Sequence, residues 1–126
     1  MRYAGEDDLP DITEEVMRAR LQLARPYTLV ILKTGPNFSS PGPVRTDGVP
    51  QIIWAHGRRN MAMQQAGLLP IVCPVRDGSG VTGVGIFDAS PEDVDRAMAE
   101  DPGVKAGVFT YEVHPTRSFP GSALPS

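Results

Sequence analysis

The run Tyr27-Thr28-Leu29-Val30-Ile31-Leu32-Lys33-Thr34 constrains this chain more than any other segment. It is rich in β-branched residues and almost wholly apolar, so it reads as a strand covered on both faces, at the centre of a sheet. Gly35-Pro36 ends it. A central strand obliges the rest of the chain to supply flanking strands and covering layers.

The segments around it meet that demand. A helix over 50–66 begins with Pro50 and stops at Gly67. Val49, Ile52, Ile53, His56, Asn60 and Met63 recur on one stripe, and Trp54, Met61 and Gln65 form a competing one. Leu68 to Val75 is a second strand, placed at an edge or a bulge by Pro70 and Pro74, which each remove a ladder donor. Arg76 to Gly80 is a hairpin turn, and Val81 to Phe87 pairs back on the second strand. Ser90-Pro91-Glu92-Asp93 opens a helix with a serine cap, a proline and two acids. Val94, Ala97 and Met98 form its buried stripe, and Asp101-Pro102 ends it. Val108 to Val113 alternates with period two as the last strand, and from His114 on the chain reads as an extended tail. In front, Asp11 or Thr13 caps a helix over 12–24 that Pro26 stops. The division is therefore an N-terminal helical extension, 1–26, and one domain, 27–126, with an extended C-terminal tail. Tyr27, Tyr111 and Trp54 read as core residues. The loop 35–50 reads either as a lid over a site or as a surface excursion.

The order β-α-β-β-α-β implies an α+β fold of ferredoxin-like type, a four-stranded antiparallel sheet with two helices on one face. The other sheet face is apolar and needs a cover. A second copy of the chain supplies it, which predicts a homodimer built as a dimeric α+β barrel.

Composition excludes several functions. Of 126 residues, 40% are hydrophobic and 21% charged, which describes a globular chain. No apolar run approaches the ~20 residues that span a bilayer. The first residues lack the basic start and apolar stretch of a signal peptide. The one cysteine, Cys73, excludes an internal disulfide and a cysteine-rich zinc site, and a reducing cytoplasm is the expected compartment. Between Val72 and Pro74 it reads as a small hydrophobe. The net charge is -3, and residues 1–15 hold six acids and one base. The basic residues are scattered and lack an aromatic platform, so no nucleic-acid partner is expected. Gly80, Gly83 and Gly85 lie in or beside a strand with no helix directly after, so they are no phosphate loop. His56 and His114 lack metal-site spacing, and neither a metal nor another cofactor is called for.

Two residues stand out chemically. His56 borders the sheet-facing side of the first long helix. Asp101 extends the apolar stripe of the second, three residues after Met98. A carboxylate there needs a partner, because burying an unpaired charge is costly. His56 is the candidate, and a histidine–carboxylate pair fixes the imidazole tautomer for general acid–base work. The plainer reading is that Asp101 bonds backbone amides of the next turn and His56 is a boundary histidine. Arg58, Arg59 and Asn60 follow on the same helix. They read as contacts for an anionic substrate group if they face the cleft, and as a solvated helix face otherwise. His114 reads as a surface group.

From residue 27 to about 124 the chain resembles the YCII-related family of small dimeric α+β barrel proteins. The resemblance rests on the first strand, on His56, and on Ala66-Gly67-Leu68-Leu69. It continues through Pro74-Val75 before Asp77-Gly78, Gly83-Val84-Gly85-Ile86-Phe87 and Ser90-Pro91-Glu92-Asp93. It closes with Asp101-Pro102-Gly103-Val104-Lys105-Ala106-Gly107 and Tyr111-Glu112-Val113-His114-Pro115. The Asp-Pro step before the last strand is the most specific of these. The resemblance implies that His56 and Asp101 face one cleft as an acid–base pair. It also implies that a small organic molecule, aromatic or enolisable, is the substrate class. Gly57 stands where the family often has leucine after the histidine. Two readings follow: a cofactor-independent acid–base enzyme, or a non-catalytic dimer that binds a small ligand or serves as an accessory domain.

Overall fold

The computed structural model describes residues 2–38 and 48–126. A 3-10 turn at Glu6–Asp8 precedes α1 (Glu14–Leu21), β1 (Arg25–Thr34) and α2 (Val49–Gln65). Then come β2 (Ile71–Pro74), β3 (Val81–Phe87), α3 (Pro91–Ala99), the one-turn α4 (Pro102–Lys105) and β4 (Phe109–Ser118). The chain divides into two compact units, residues up to 25 together with 118–126, and Pro26–Arg117.

The larger unit is the ferredoxin-like α+β fold. Its sheet has the order β2-β3-β1-β4, so β1 is central and β2 lies at an edge. β1 and β3 pair antiparallel from Thr28 opposite Phe87 to Leu32 opposite Gly83, then slip by one residue so that Lys33 faces Val81. β2 pairs with the far side of β3, Ile71 opposite Ile86 and Cys73 opposite Val84. The helices cover one face of the sheet. Val30, Leu32, Phe87 and Phe109 from the strands meet Val49 and Met63 of α2 and Val94 and Met98 of α3. Gly83 and Gly85 point to this side, and a side chain at Gly85 would lie 2.9 Å from the Leu69 methyl. Their bareness lets the helical layer sit close.

Local signals explain the boundaries. Ser90 Oγ accepts from the Asp93 amide and starts α3, and Thr13 Oγ1 accepts from Val16 and starts α1. Gly67, at φ +80°, closes α2: its amide bonds to the Gln64 carbonyl and that of Leu68 to the Met63 carbonyl. These bonds, and one from the Leu69 amide to the same Met63 carbonyl, delay β2 to Ile71, later than the expected start at Leu68. On α2 the stripe Val49, His56, Met63 is the buried one.

Two expectations are corrected and two are refined. Trp54 is 77% exposed, because it lies on the losing stripe of α2. β1 alternates: Thr28, Val30 and Leu32 are buried, while Leu29 and Ile31 are half-buried on the opposite face. Asp101-Pro102 follows the end of α3 at Ala99 and also opens a new turn of helix, α4, with Asp101 as its cap. β4 runs on through Pro115 to Ser118, which an edge strand tolerates because its outer donors face no partner. Most of the loop expected as a lid or excursion, residues 39–47, lies outside the described residues.

In the smaller unit α1 has no buried residue, and Val16, Met17 and Leu21 are exposed.

Gly35, which follows β1, donates its amide to the Val108 carbonyl at 2.8 Å. A methyl at Gly35 would lie 2.3 Å from the Gly107 carbonyl oxygen, which is backbone and cannot swing aside. Gly35→Ala should therefore cost about 1–3 kcal/mol, as overpacking does. Urea denaturation measures it, and an unchanged midpoint would refute the close approach.

Candidate active site

Three segments of the larger unit meet around one carboxylate. α2 supplies His56, Arg59 and Asn60, the junction of α3 and α4 supplies Asp101, and the start of β4 supplies Phe109. Asp101 is 1% exposed. Its two oxygens have separate duties. Oδ2 accepts from the backbone amides of Gly103, at 2.9 Å, and Val104, at 3.2 Å, which caps α4. Oδ1 lies 2.8 Å from His56 Nδ1. The two sequence readings of Asp101, helix cap and histidine partner, are thus both realised, one by each oxygen.

Arg59 turns inward. Its Nη2 donates to the Ala97 carbonyl in the last turn of α3 at 2.7 Å, a position that suits a cation. Its Nη1 stands 3.7 Å from Asp101 Oδ1, is buried, and makes an ion pair but no hydrogen bond. Asn60 Nδ2 lies 3.2 Å from His56 Nε2, one helical turn on. The Phe109 ring packs against the imidazole with centroids 4.7 Å apart. Gly103 makes room for that ring, since a methyl there would come within 2.4 Å of Phe109 Cδ2. Arg58 is exposed, and His114 sits at the surface, 3.7 Å from Glu112.

Burial pushes the Asp101 carboxyl up. The His56 hydrogen bond and charge and the amides of Val104 and Gly103 outweigh it, and the group ends below the ordinary carboxylate range. Asp101 is therefore ionised at neutral pH, and an ionised carboxylate only accepts hydrogen bonds. His56 must present Nδ1–H to it. That leaves Nε2 as the nitrogen able to take or give a proton, so the arrangement is competent for general acid–base chemistry. With the His56 side chain 11% exposed, the ring works in a nearly dry setting where such hydrogen bonds are strengthened.

The sequence points to His56, Asp101, Arg59 and Asn60, and the fold brings all four together. Phe109 and Gly103 were missed. Phe109 gave no signal beyond strand alternation, whereas Asp-Pro-Gly at a helix start, with Asp as cap, carried a readable one. Among the described residues no three histidine, cysteine, aspartate or glutamate side chains gather as a metal set, and no helix is long and apolar enough to cross a membrane.

A carboxyl whose folded value lies below its unfolded one stabilises the fold above the unfolded value and ceases to do so as pH falls through the folded one. Asp101 starts from 3.8, so its contribution is complete at neutral pH and is lost below about 4. Asp101→Asn should lower stability at pH 7, and the gap to wild type should close as pH drops below about 4. Denaturant titrations at several pH values check this, and a gap independent of pH would exclude the ionised pair.

No family model and no curated protein matches the sequence. Solved structures do. A crystal structure of muconolactone isomerase aligns with a TM-score of 0.55 at 15% identity, covering 79% of this chain and 97% of that one. The crystal structure of the methylated RPA0582 protein aligns with a TM-score of 0.37 at 14% identity, over 89% of this chain and 96% of that one. At this identity the likeness to muconolactone isomerase is one of fold, and the chain shares its α+β architecture.

Proposed function

We propose that the chain is a YCII-related cytoplasmic enzyme that performs cofactor-independent acid–base chemistry on a small aromatic or enolisable molecule. The buried hydrogen bond between His56 and Asp101, at 2.8 Å, carries this reading. A fixed, ionised acceptor behind Nδ1 makes Nε2 the catalytic nitrogen. In the step proposed, Nε2 takes a proton from a carbon beside a carbonyl. The electron pair of the broken C–H bond moves into that carbonyl, and the same nitrogen returns a proton to the conjugated carbon. Asn60, whose amide nitrogen lies 3.2 Å from Nε2, and Arg59, which pairs with the carboxylate behind the ring, are the proposed substrate contacts. Isomerisation or elimination belongs to this reaction class, and the isomerase that shares the fold supports it.

One observation favours a second reading, a non-catalytic ligand-binding or accessory dimer: both imidazole nitrogens already have partners within the protein. Incubation with a panel of enolisable carbonyl and hydroxyaromatic compounds in D₂O, followed by proton NMR, separates the two. Wild type should exchange an acidic C–H, and His56→Ala should slow that exchange about 10²–10⁴-fold, the usual worth of a positioned acid or base. Binding of such compounds without exchange would favour the second reading.

Either reading includes a homodimer. Leu29, Ile86 and Ile71 form one apolar row on the sheet face away from the helices, and Ile31, Val84 and Cys73 form the next. A patch of that character asks for a partner surface. Light scattering should give twice the 13.6 kDa of one chain. Val84→Asp should return single chains with the fold intact, and a wild-type mass of 13.6 kDa would reject the dimer.

A further inference from the structure

Asn60 occupies a place from which the imidazole Nε2 can be controlled. It follows His56 by four residues, so the helix itself sets one side chain above the other. Its amide nitrogen lies 3.2 Å from Nε2. With Nδ1–H committed to Asp101, that contact has a single sense: the Asn60 amide donates and the Nε2 lone pair accepts. The neutral ring therefore rests with its basic lone pair covered. Once Nε2 holds a proton, the amide nitrogen is the wrong partner, since two donors would face each other. A half-turn about the terminal torsion of Asn60 presents its carbonyl oxygen in nearly the same place, because amide oxygen and nitrogen are almost the same size. One side chain can so serve both protonation states, which neither a carboxylate nor an ammonium group could.

We propose that Asn60 is a positioning residue that caps His56 Nε2 at rest and turns its amide over as the ring gains and loses a proton. This rests on His56 being the acid–base group proposed above. The charged groups facing the ring are Asp101, which holds Nδ1–H, and Arg59, which pairs with the same Asp101 oxygen and balances its charge. With that charge already balanced, an added proton on the ring needs a neutral acceptor at Nε2, and the turned amide supplies it. A substrate that reaches Nε2 first displaces the Asn60 amide. The freed amide N–H can then donate to the substrate's carbonyl oxygen, where charge develops as the C–H bond breaks. Entry is thereby tied to a substrate that offers a hydrogen-bond acceptor beside its acidic carbon.

Two histidines make the test simple, because His114 is exposed and serves as an internal reference. In wild type, proton–nitrogen correlation spectra of the imidazoles should show Nδ1–H with an unprotonated Nε2 for His56. Diethyl pyrocarbonate, which acylates an imidazole lone pair, should label His56 more slowly than His114. Asn60→Ala should leave the tautomer unchanged and speed His56 labelling about 5–10-fold, the weight of one ordinary hydrogen bond, with His114 unaffected. Asn60→Asp places a group at Nε2 that only accepts, so His56 should show both nitrogens protonated at neutral pH and label more slowly than in wild type. Unchanged His56 labelling in Asn60→Ala, or a wild-type spectrum with the proton on Nε2, overturns the proposal. Asp101→Asn separates this outcome from failure of the acid–base pair. If the titration of His56 followed in the same spectra is unchanged in that variant, the carboxylate does not act on the ring and the pair fails, whatever Asn60 does.

Discussion

The carboxylate of Asp101 is the point on which the helical layer turns. Enclosing an ionised group costs several kcal/mol unless its oxygens are met by donors. Three meet it here, two backbone amides and an imidazole N–H, and a guanidinium adds an ion pair at longer range. Together these groups tie two pieces of chain, α4 and α2, to the same spot. The amides shape the turn that leads into β4, while His56 and Arg59 draw α2 against it. Arg59 extends the link to the last carbonyls of α3 through Ala97. The residue that organises the local fold is also the one that orients the imidazole, so geometry at His56 is inherited from the scaffold.

That inheritance has a chemical side. Arg59 stands 3.7 Å from the Asp101 oxygen that faces the imidazole, so the ring sits against an ion pair. Phe109 and the close approach allowed by Gly103 keep water from one side of the ring. On its Nε2 side the ring meets the Asn60 amide of α2. In the proposed enzyme, a small site of this kind would rely on position and dryness more than on numerous catalytic groups.

Much of this was legible in the chain. The central position of Tyr27–Thr34, the edge placement of the proline-bearing second strand and the Ser90-Pro91 helix start each follow from one local physical rule, and the fold obeys all three. His56 and Asp101 were legible because a polar residue that continues an apolar stripe demands an explanation. Other features are set by interactions between distant segments. Trp54 and Met61 competed with Val49 and Met63 for the inside of α2, and only the packing of the sheet decides such a contest. The inward turn of Arg59 depends on the Ala97 carbonyl, 38 residues away in sequence. The smooth continuation of β4 through Pro115 required knowing that β4 lies at the rim of the sheet.

Those rim strands have a further consequence. Pro74 stands at the end of β2 and Pro115 within β4, the two outermost strands. A strand lacking a backbone donor is a poor template for another strand, and natural sheets use this device against runaway association. Lateral growth of the sheet is thus discouraged at both borders, whereas its broad apolar face carries no such deterrent. In the proposed homodimer, association through the face stays open while growth into open-ended ribbons is discouraged. Apolar strands of the kind seen here are thereby kept from templating fibres at their borders.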